Sequence, residues 1–168
     1  MTNDVDPRIR GLHHNAWRCS DSERTRRFYE GFLGLPLVSA FEIGETKTGR
    51  RTHALHSFYR MADGSCLAFF EVPDMPFDFK PQHDFDLHIA LEVERDVLGP
   101  MMEKARRAGI EVRGISDHGF IESIYFRDPD GYVVELTARV PDAQEPPLEQ
   151  AMASAHAALA RWQDGKSR

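Results

Sequence analysis

Cysteine is scarce in this chain: Cys19 and Cys66 are the only two, far apart and in no CxxC pair. That spacing excludes a disulfide framework and a cysteine zinc site, and leaves both as small buried hydrophobes. Long apolar runs are missing too. No stretch approaches the roughly 18 residues that span a bilayer, and the start Met1-Thr2-Asn3-Asp4-Val5-Asp6 is polar and acidic, unlike a secretory signal. A soluble, cytoplasmic protein with no membrane partner is expected. Positive charge is in deficit, with 21 Lys and Arg against 27 Asp and Glu, a net charge of −6. Without a basic footprint to release counterions, nucleic acid is a poor partner and a small molecule is the better default.

What is present is an ordinary globular composition, 168 residues and 41% hydrophobic, enough for one well-buried core. The chain also repeats itself. His14-Asn15-Ala16-Trp17-Arg18 is echoed by His88-Ile89-Ala90-Leu91-Glu92, each heading an alternating stretch followed by a helix-like one. Gly11 to Cys19 reads as a strand with Leu12, His14, Ala16 and Arg18 on one face and His13, Asn15, Trp17 and Cys19 on the other. Ser20 or Asp21 then caps a helix over Arg24 to Leu33, with Phe28, Tyr29, Phe32 and Leu33 at helical spacing and Gly34 as its stop. Strands follow at Leu37 to Ile43, Thr52 to Arg60 and Ser65 to Val72, so the first half is βαβββ.

Pro73 to Phe85 holds three prolines and several aromatics and reads as a linker. The second half repeats the order: a strand at Leu87 to Val93, a helix at Val97 to Ala108, then strands at Ile110 to Gly114, Ile121 to Arg127 and Tyr132 to Ala138. After the Pro141 to Pro147 breaker, Leu148 to Trp162 reads as an alanine-rich amphipathic helix that pads the core or a subunit interface through Met152, Leu159 and Trp162. It lacks the basic polar face of a membrane-surface helix. The expected organisation is α+β: one domain over residues 8–140, with modules 11–73 and 86–139 joined by linker 74–85, and a C-terminal helix over 145–164.

Two histidines and a carboxylate at matched places in a duplicated unit suggest a metal site built between the halves. His14, Ser20-Asp21, Phe28-Tyr29, Leu33-Gly34, His88 and the closing segment Tyr125-Phe126-Arg127-Asp128-Pro129-Asp130-Gly131-Tyr132-Val133-Val134-Glu135 carry a resemblance that covers about residues 11 to 138. On these residues the chain resembles the vicinal oxygen chelate superfamily, which includes glyoxalase I, extradiol dioxygenases, fosfomycin-resistance proteins, epimerases and bleomycin-binding proteins. The resemblance implies two βαβββ modules pairing into a curved, cup-like mixed sheet. It also implies metal ligands at His14, His88 and Glu135, and a cup closed within one chain or shared across a homodimer, the expected state.

Imidazole and carboxylate ligands suit Fe(II), Mn(II), Ni(II) or Zn(II), and a three-ligand face leaves positions for substrate and oxygen or water. The repeat also serves as a ruler. Glu135 lies four residues after Gly131, and four after Gly64 comes Ala68, so the first half lacks the carboxylate that glyoxalase I enzymes use. Glu71 lies on the opposite parity and reaches the site only if a bulge re-aims it. His118, Tyr125, Asp128-Pro129, Gly131 and Glu135 come close to the extradiol dioxygenase signature, departing from it at Ser116. That likeness gives His118 and Tyr125 catalytic places beside substrate; a plain turn and a core aromatic are the alternatives.

Arg18, on the face of His14, is read as a substrate anchor or as half of a salt bridge to Glu92. His83 is the nearest candidate for an acid/base histidine. His53 and His56 have opposite parity, so at most one faces the pocket, and both are expected to be exposed. Phe69, Phe70, Phe77, Phe79 and Phe85 are pocket or core aromatics. The functional expectation is a metal-dependent enzyme, Fe(II) favoured, acting on a small molecule that chelates through vicinal oxygens, foremost an extradiol ring-cleaving dioxygenase. A glyoxalase I-like lyase or epimerase and a non-catalytic binding or resistance protein are the alternatives.

Overall fold

The computed structural model describes residues 10–80, 83, 85–141, 143 and 146–166. The expected domain start at residue 8, part of the linker (Pro81, Gln82 and Asp84) and the first residue of the expected C-terminal helix, Glu145, lie outside the described residues. The fold is α+β and is built from two βαβββ modules. In the first, β1 (Trp17–Cys19) leads to α1 (Ser22–Arg26), which runs on as a π-helical turn (Arg27–Phe32); β2 (Leu37–Glu45), β3 (Arg51–Arg60) and β4 (Cys66–Glu71) follow. In the second, β5 (His88–Glu92) leads through a 3₁₀ turn (Arg95–Val97) to α2 (Leu98–Ala108), then β6 (Val112–Asp117), β7 (Ile121–Arg127) and β8 (Val133–Arg139). The last element is α3 (Leu148–Lys166).

Each module makes one four-stranded mixed sheet, ordered β1-β4-β3-β2 and β5-β8-β7-β6. The first and last strands of each are parallel neighbours, and the rest pair antiparallel. The helix starts and stops have local causes. Asp21 accepts the Arg24 N–H at 2.7 Å as the cap of α1. Gly109 closes α2 at φ 66°, a left-handed geometry that a side chain resists. Leu98, Met102 and Ala105 recur along one face of α2 and are all buried.

One core serves both modules. Phe28, Tyr29, Phe32, Tyr59, Leu67 and Phe69 from the first pack with Leu98, Met102, Ile124, Phe126, Val134 and Leu136 from the second. Across the junction the Phe32 and Phe126 rings meet edge to face at 5.3 Å, and Trp17 stacks on Tyr132 at 4.7 Å. Polar bonds seal the rim: Ser20 donates through its N–H and hydroxyl to Asp130, Arg24 donates to the Pro129 carbonyl, and the Tyr29 hydroxyl donates to Asp128 at 3.0 Å.

Several sequence expectations need correction. Regular strand begins at Trp17, not Gly11; before it the chain meets the sheet at an isolated His14–Cys66 bridge. His13 is exposed and does not pack with Trp17. Cys19 is buried as expected, but Cys66 is only half-buried. The second-module strand expected at Ile110 to Gly114 runs from Val112 to Asp117. Helix α3 buries none of its residues and leaves Trp162 exposed, so it does not pad this core. Among the described residues no helix is long and apolar enough to cross a membrane.

The junction is sensitive to pH. Burial lifts the Asp128 carboxyl from 3.8 to about 6, although its hydrogen bonds from Tyr132, Tyr29 and Asp130 pull the other way. A carboxyl with a raised folded pKa contributes stability that is complete below its unfolded value and is lost as pH rises through the folded one. Asp128→Asn keeps an acceptor for the Asp130 and Tyr132 N–H groups and removes the charge. Denaturant unfolding is expected to show the variant gaining on the wild type by on the order of 2 to 3 kcal/mol between about pH 4 and about pH 7. Parallel pH profiles would contradict this.

Candidate metal centre

The core consumes one face of each sheet, and the other faces point outward. In β4, Leu67 and Phe69 enter the core, which turns Cys66, Ala68 and Phe70 outward; in β8, Val134, Leu136 and Ala138 enter it, which turns Val133, Glu135 and Thr137 outward. The register then tests the repeat. His14 bridges Cys66 and His88 pairs with Val133, so the residues two further along, Ala68 and Glu135, are equivalent. The first module therefore offers a methyl group where the second offers a carboxylate.

On the second sheet four of the expected site residues come together. His88 Nε2 lies 3.4 Å from Glu135 Oε2, with the histidine side chain 41% exposed and the glutamate 7%. Tyr125 is the direct cross-strand neighbour of Glu135 and shares its face. His118 sits in the β6–β7 connection, where its N–H donates to the Ile121 carbonyl at 2.9 Å; its Nε2 lies 3.1 Å from the Tyr125 hydroxyl. So His118 is both a turn residue and a partner of Tyr125. The guanidinium of Arg113 stands 5.6 Å over the Tyr125 ring.

His14 stands apart, on the outward face of the first sheet. Its ring neighbours are His13, Phe58 at 5.4 Å and His56 at 6.2 Å. Among the described residues of one chain, no three His, Cys, Asp or Glu side chains are grouped to hold a metal ion.

Arg18 and Glu71 both make contacts within the scaffold. Arg18 Nη2 donates to the carbonyls of Val72 at 3.1 Å and Met75 at 2.7 Å, and the guanidinium lies 5.1 Å over Phe77. The alternative salt bridge to Glu92 is not made; Glu92 pairs with Arg139. Glu71 accepts the Ser22 N–H at 2.8 Å, at the start of α1 and on the core side of its strand. His83 is engaged inside the linker, where its Nδ1 accepts the Phe85 N–H.

Of the two histidines of β3, of which the sequence allows at most one to face the pocket, His56 departs from the expected exposure. It is buried, not exposed, and its ring lies flat on Phe70 at 3.6 Å and 9°. Its Nδ1 is 3.0 Å from the Phe69 carbonyl, which only accepts, so Nδ1 carries the proton and Nε2 keeps its lone pair. Burial, with a further push from His14 and against the bond to Phe69, moves the imidazole below its ordinary range. Phe58 lies 4.2 Å from His56, and Phe41 extends the aromatic row outward. The available signal was the repeat register: His56 precedes Phe58, the equivalent of Tyr125, by two residues and shares its face.

Residues 11–136 match the profile of the Glyoxalase/Bleomycin resistance protein/Dioxygenase superfamily. The metallothiol transferase FosB of Shouchella clausii (strain KSM-K16) is 30% identical over 134 residues, 76% of this chain and 80% of that protein. Among solved structures, a glyoxalase/dioxygenase from Nostoc punctiforme superposes with a TM-score of 0.61 at 23% identity, covering 83% of this chain and 99% of the other. The fosfomycin resistance protein FosX of Listeria monocytogenes, complexed with Mn(II) and sulfate, does so at 0.57 and 20% identity, covering 80% and 96%. The two structures share the fold.

Arg18 ties β1 to the start of the linker through the Val72 and Met75 carbonyls. Arg18→Ala is expected to lower stability by about 2 kcal/mol, the worth of charge-assisted bonds to two carbonyls, read by thermal unfolding. Unchanged stability with weakened ligand binding would return it to the substrate site.

Proposed function

The chain belongs to the Glyoxalase/Bleomycin resistance protein/Dioxygenase superfamily, and from that premise we propose that it is a metal-dependent enzyme acting on a small molecule with two neighbouring oxygens. His14, His88 and Glu135 would hold the cation. The donor set fits: a carboxylate withdrawn from water beside an imidazole is a costly arrangement alone and a suitable one around a divalent ion. Because His14 stands on one outward face and His88 with Glu135 on another, the complete set is assigned to a homodimer in which the first module of one protomer faces the second module of its partner.

Within that frame the preferred reaction is extradiol-type ring cleavage of a catechol, with Fe(II) as the favoured metal and Mn(II) as the other redox-active choice; Ni(II) or Zn(II) would suit the non-oxidative alternatives. The observation that carries it is the His118–Tyr125 pair beside Glu135. The aromatic row of Phe41, Phe58, His56 and Phe70 supports it from the His14 face. A bound redox-active cation supplies charge stabilisation for two ionised substrate oxygens and one-electron chemistry toward O2. The chain supplies the rest. The aromatic row would offer a wall for a planar ring, His56 Nε2 would accept a hydroxyl proton, and the Tyr125 hydroxyl, held by His118, would donate to an oxygen that gains charge.

A second reading is favoured by the 30% identity to a protein named a metallothiol transferase: thiol addition to a small electrophile. A lyase or epimerase would depend on Glu135 as its base, since Glu71 is occupied at Ser22. A non-catalytic binder would use the aromatic row alone.

Protein purified and reconstituted anaerobically with Fe(II) or Mn(II) is expected to consume O2 with one or more of a panel of catechols. Tyr125→Phe is expected to lower kcat about 100-fold with little change in KM. Absence of O2 uptake, with thiol consumed in the presence of fosfomycin, would replace ring cleavage by thiol transfer. Isomerisation of a hemithioacetal would select the lyase, and failure to bind metal would leave the binder.

A further inference from the structure

The paired histidines before β1 assign a task to His13. In a regular strand neighbouring side chains part to opposite faces, yet His13 Nδ1 lies 2.7 Å from His14 Nδ1, with the rings 5.0 Å apart at 73°. The backbone permits this because regular pairing has not begun. Here the chain is held by the isolated His14–Cys66 bridge and by the bond from the Cys66 N–H to the His13 carbonyl at 3.0 Å.

Two imidazole nitrogens at this distance share one proton, so one donates and the other accepts. The choice fixes the ligating atom. If His14 donates from Nδ1, its lone pair stays on Nε2; if it accepts there, Nε2 carries the proton and offers a metal nothing. Of the other rings near His14, Phe58 has no acceptor and His56, whose lone pair is on Nε2, stands further off, at 6.2 Å between ring centroids against 5.0 Å for His13.

We propose that His13 is a positioning residue for the metal centre: its Nδ1 accepts the His14 Nδ1–H and holds His14 in the tautomer that presents Nε2 to a divalent cation. This rests on the reading of His14 as a ligand. His13 itself touches neither metal nor substrate. It acts through the hydrogen bond it accepts from its neighbour, as the carboxylate or carbonyl behind a metal-bound histidine does elsewhere.

The test compares wild type with His13→Asn, which keeps an oxygen acceptor on a side chain of similar reach, His13→Leu, which does not, and His14→Ala. Two quantities are read: the His14 tautomer from ¹⁵N ring shifts in metal-free protein, and the affinity for Mn(II) alone by chelator competition. Wild type and His13→Asn are expected to keep the Nδ1–H tautomer and affinities within about three-fold of each other, while His13→Leu loses that tautomer and binds Mn(II) roughly 10- to 100-fold more weakly. An unchanged tautomer and affinity in His13→Leu would overturn the proposal. So would a loss in His13→Asn as deep as that in His14→Ala, which would make His13 a ligand. If His14→Ala binds Mn(II) like wild type, the ligand reading of His14 fails and takes this role with it; dependence on His14 with indifference to His13→Leu removes the role alone.

Discussion

The two modules share one core, and the position of every candidate site side chain follows from that contact. Trp17 on Tyr132, Phe32 on Phe126, and Tyr29 bonded to Asp128 bind the helix-bearing side of one sheet to that of the other. Aromatic side chains of this size dominate core energetics, and deleting one typically costs about 3 to 5 kcal/mol. Strand alternation does the rest: with one face of each sheet committed to the shared core, the residues between are driven to the outward faces. His14 leaves on one side, and His88 with Glu135 leaves on the other. A chain folded this way keeps His14 on the first sheet, apart from His88 and Glu135 on the second, which is why the proposed centre calls on a second copy.

The duplication is preserved in backbone and broken in chemistry. The register places Ala68 where Glu135 stands, Phe58 where Tyr125 stands, and the His56–Phe70 stack where the second module has the Ser123–Thr137 hydroxyl pair. One outward face is aromatic, the other polar and ionic. In the proposed dimer they would face each other, an aromatic wall on one side and hydrogen-bonding groups on the other. That division of labour suits a planar ring bearing two oxygens.

Much of this was legible in the sequence because it rests on periodicity and spacing. The two βαβββ orders, the closing strand of the second module and the equivalence of Ala68 with Glu135 all follow from alternation and from counting between glycines. The losses have a common cause in tertiary context. His56 gave an exposed reading because a histidine on a mixed strand carries no mark of the Phe70 stacked on it or of the carbonyl that fixes its proton. The contacts of Arg18 with the linker were not legible because the carbonyls it binds lie more than fifty residues away. His13 was sent to the wrong face because alternation presumes a strand, and the strand starts at Trp17. No periodicity reports that the core-facing sides of two modules join each other; that is a fact of packing.

The central claim is that the metal centre joins His14 of one protomer to His88 and Glu135 of another. Mixing His14→Ala with His88→Ala under subunit exchange, and counting bound Mn(II), tests it directly. Each variant alone has only broken sites, whereas a mixed dimer holds one site broken twice and one intact. A random equal mixture is expected to recover about one quarter of the wild-type metal content. No recovery, after subunit exchange has been verified, would mean that the ligands meet within a single chain or not at all.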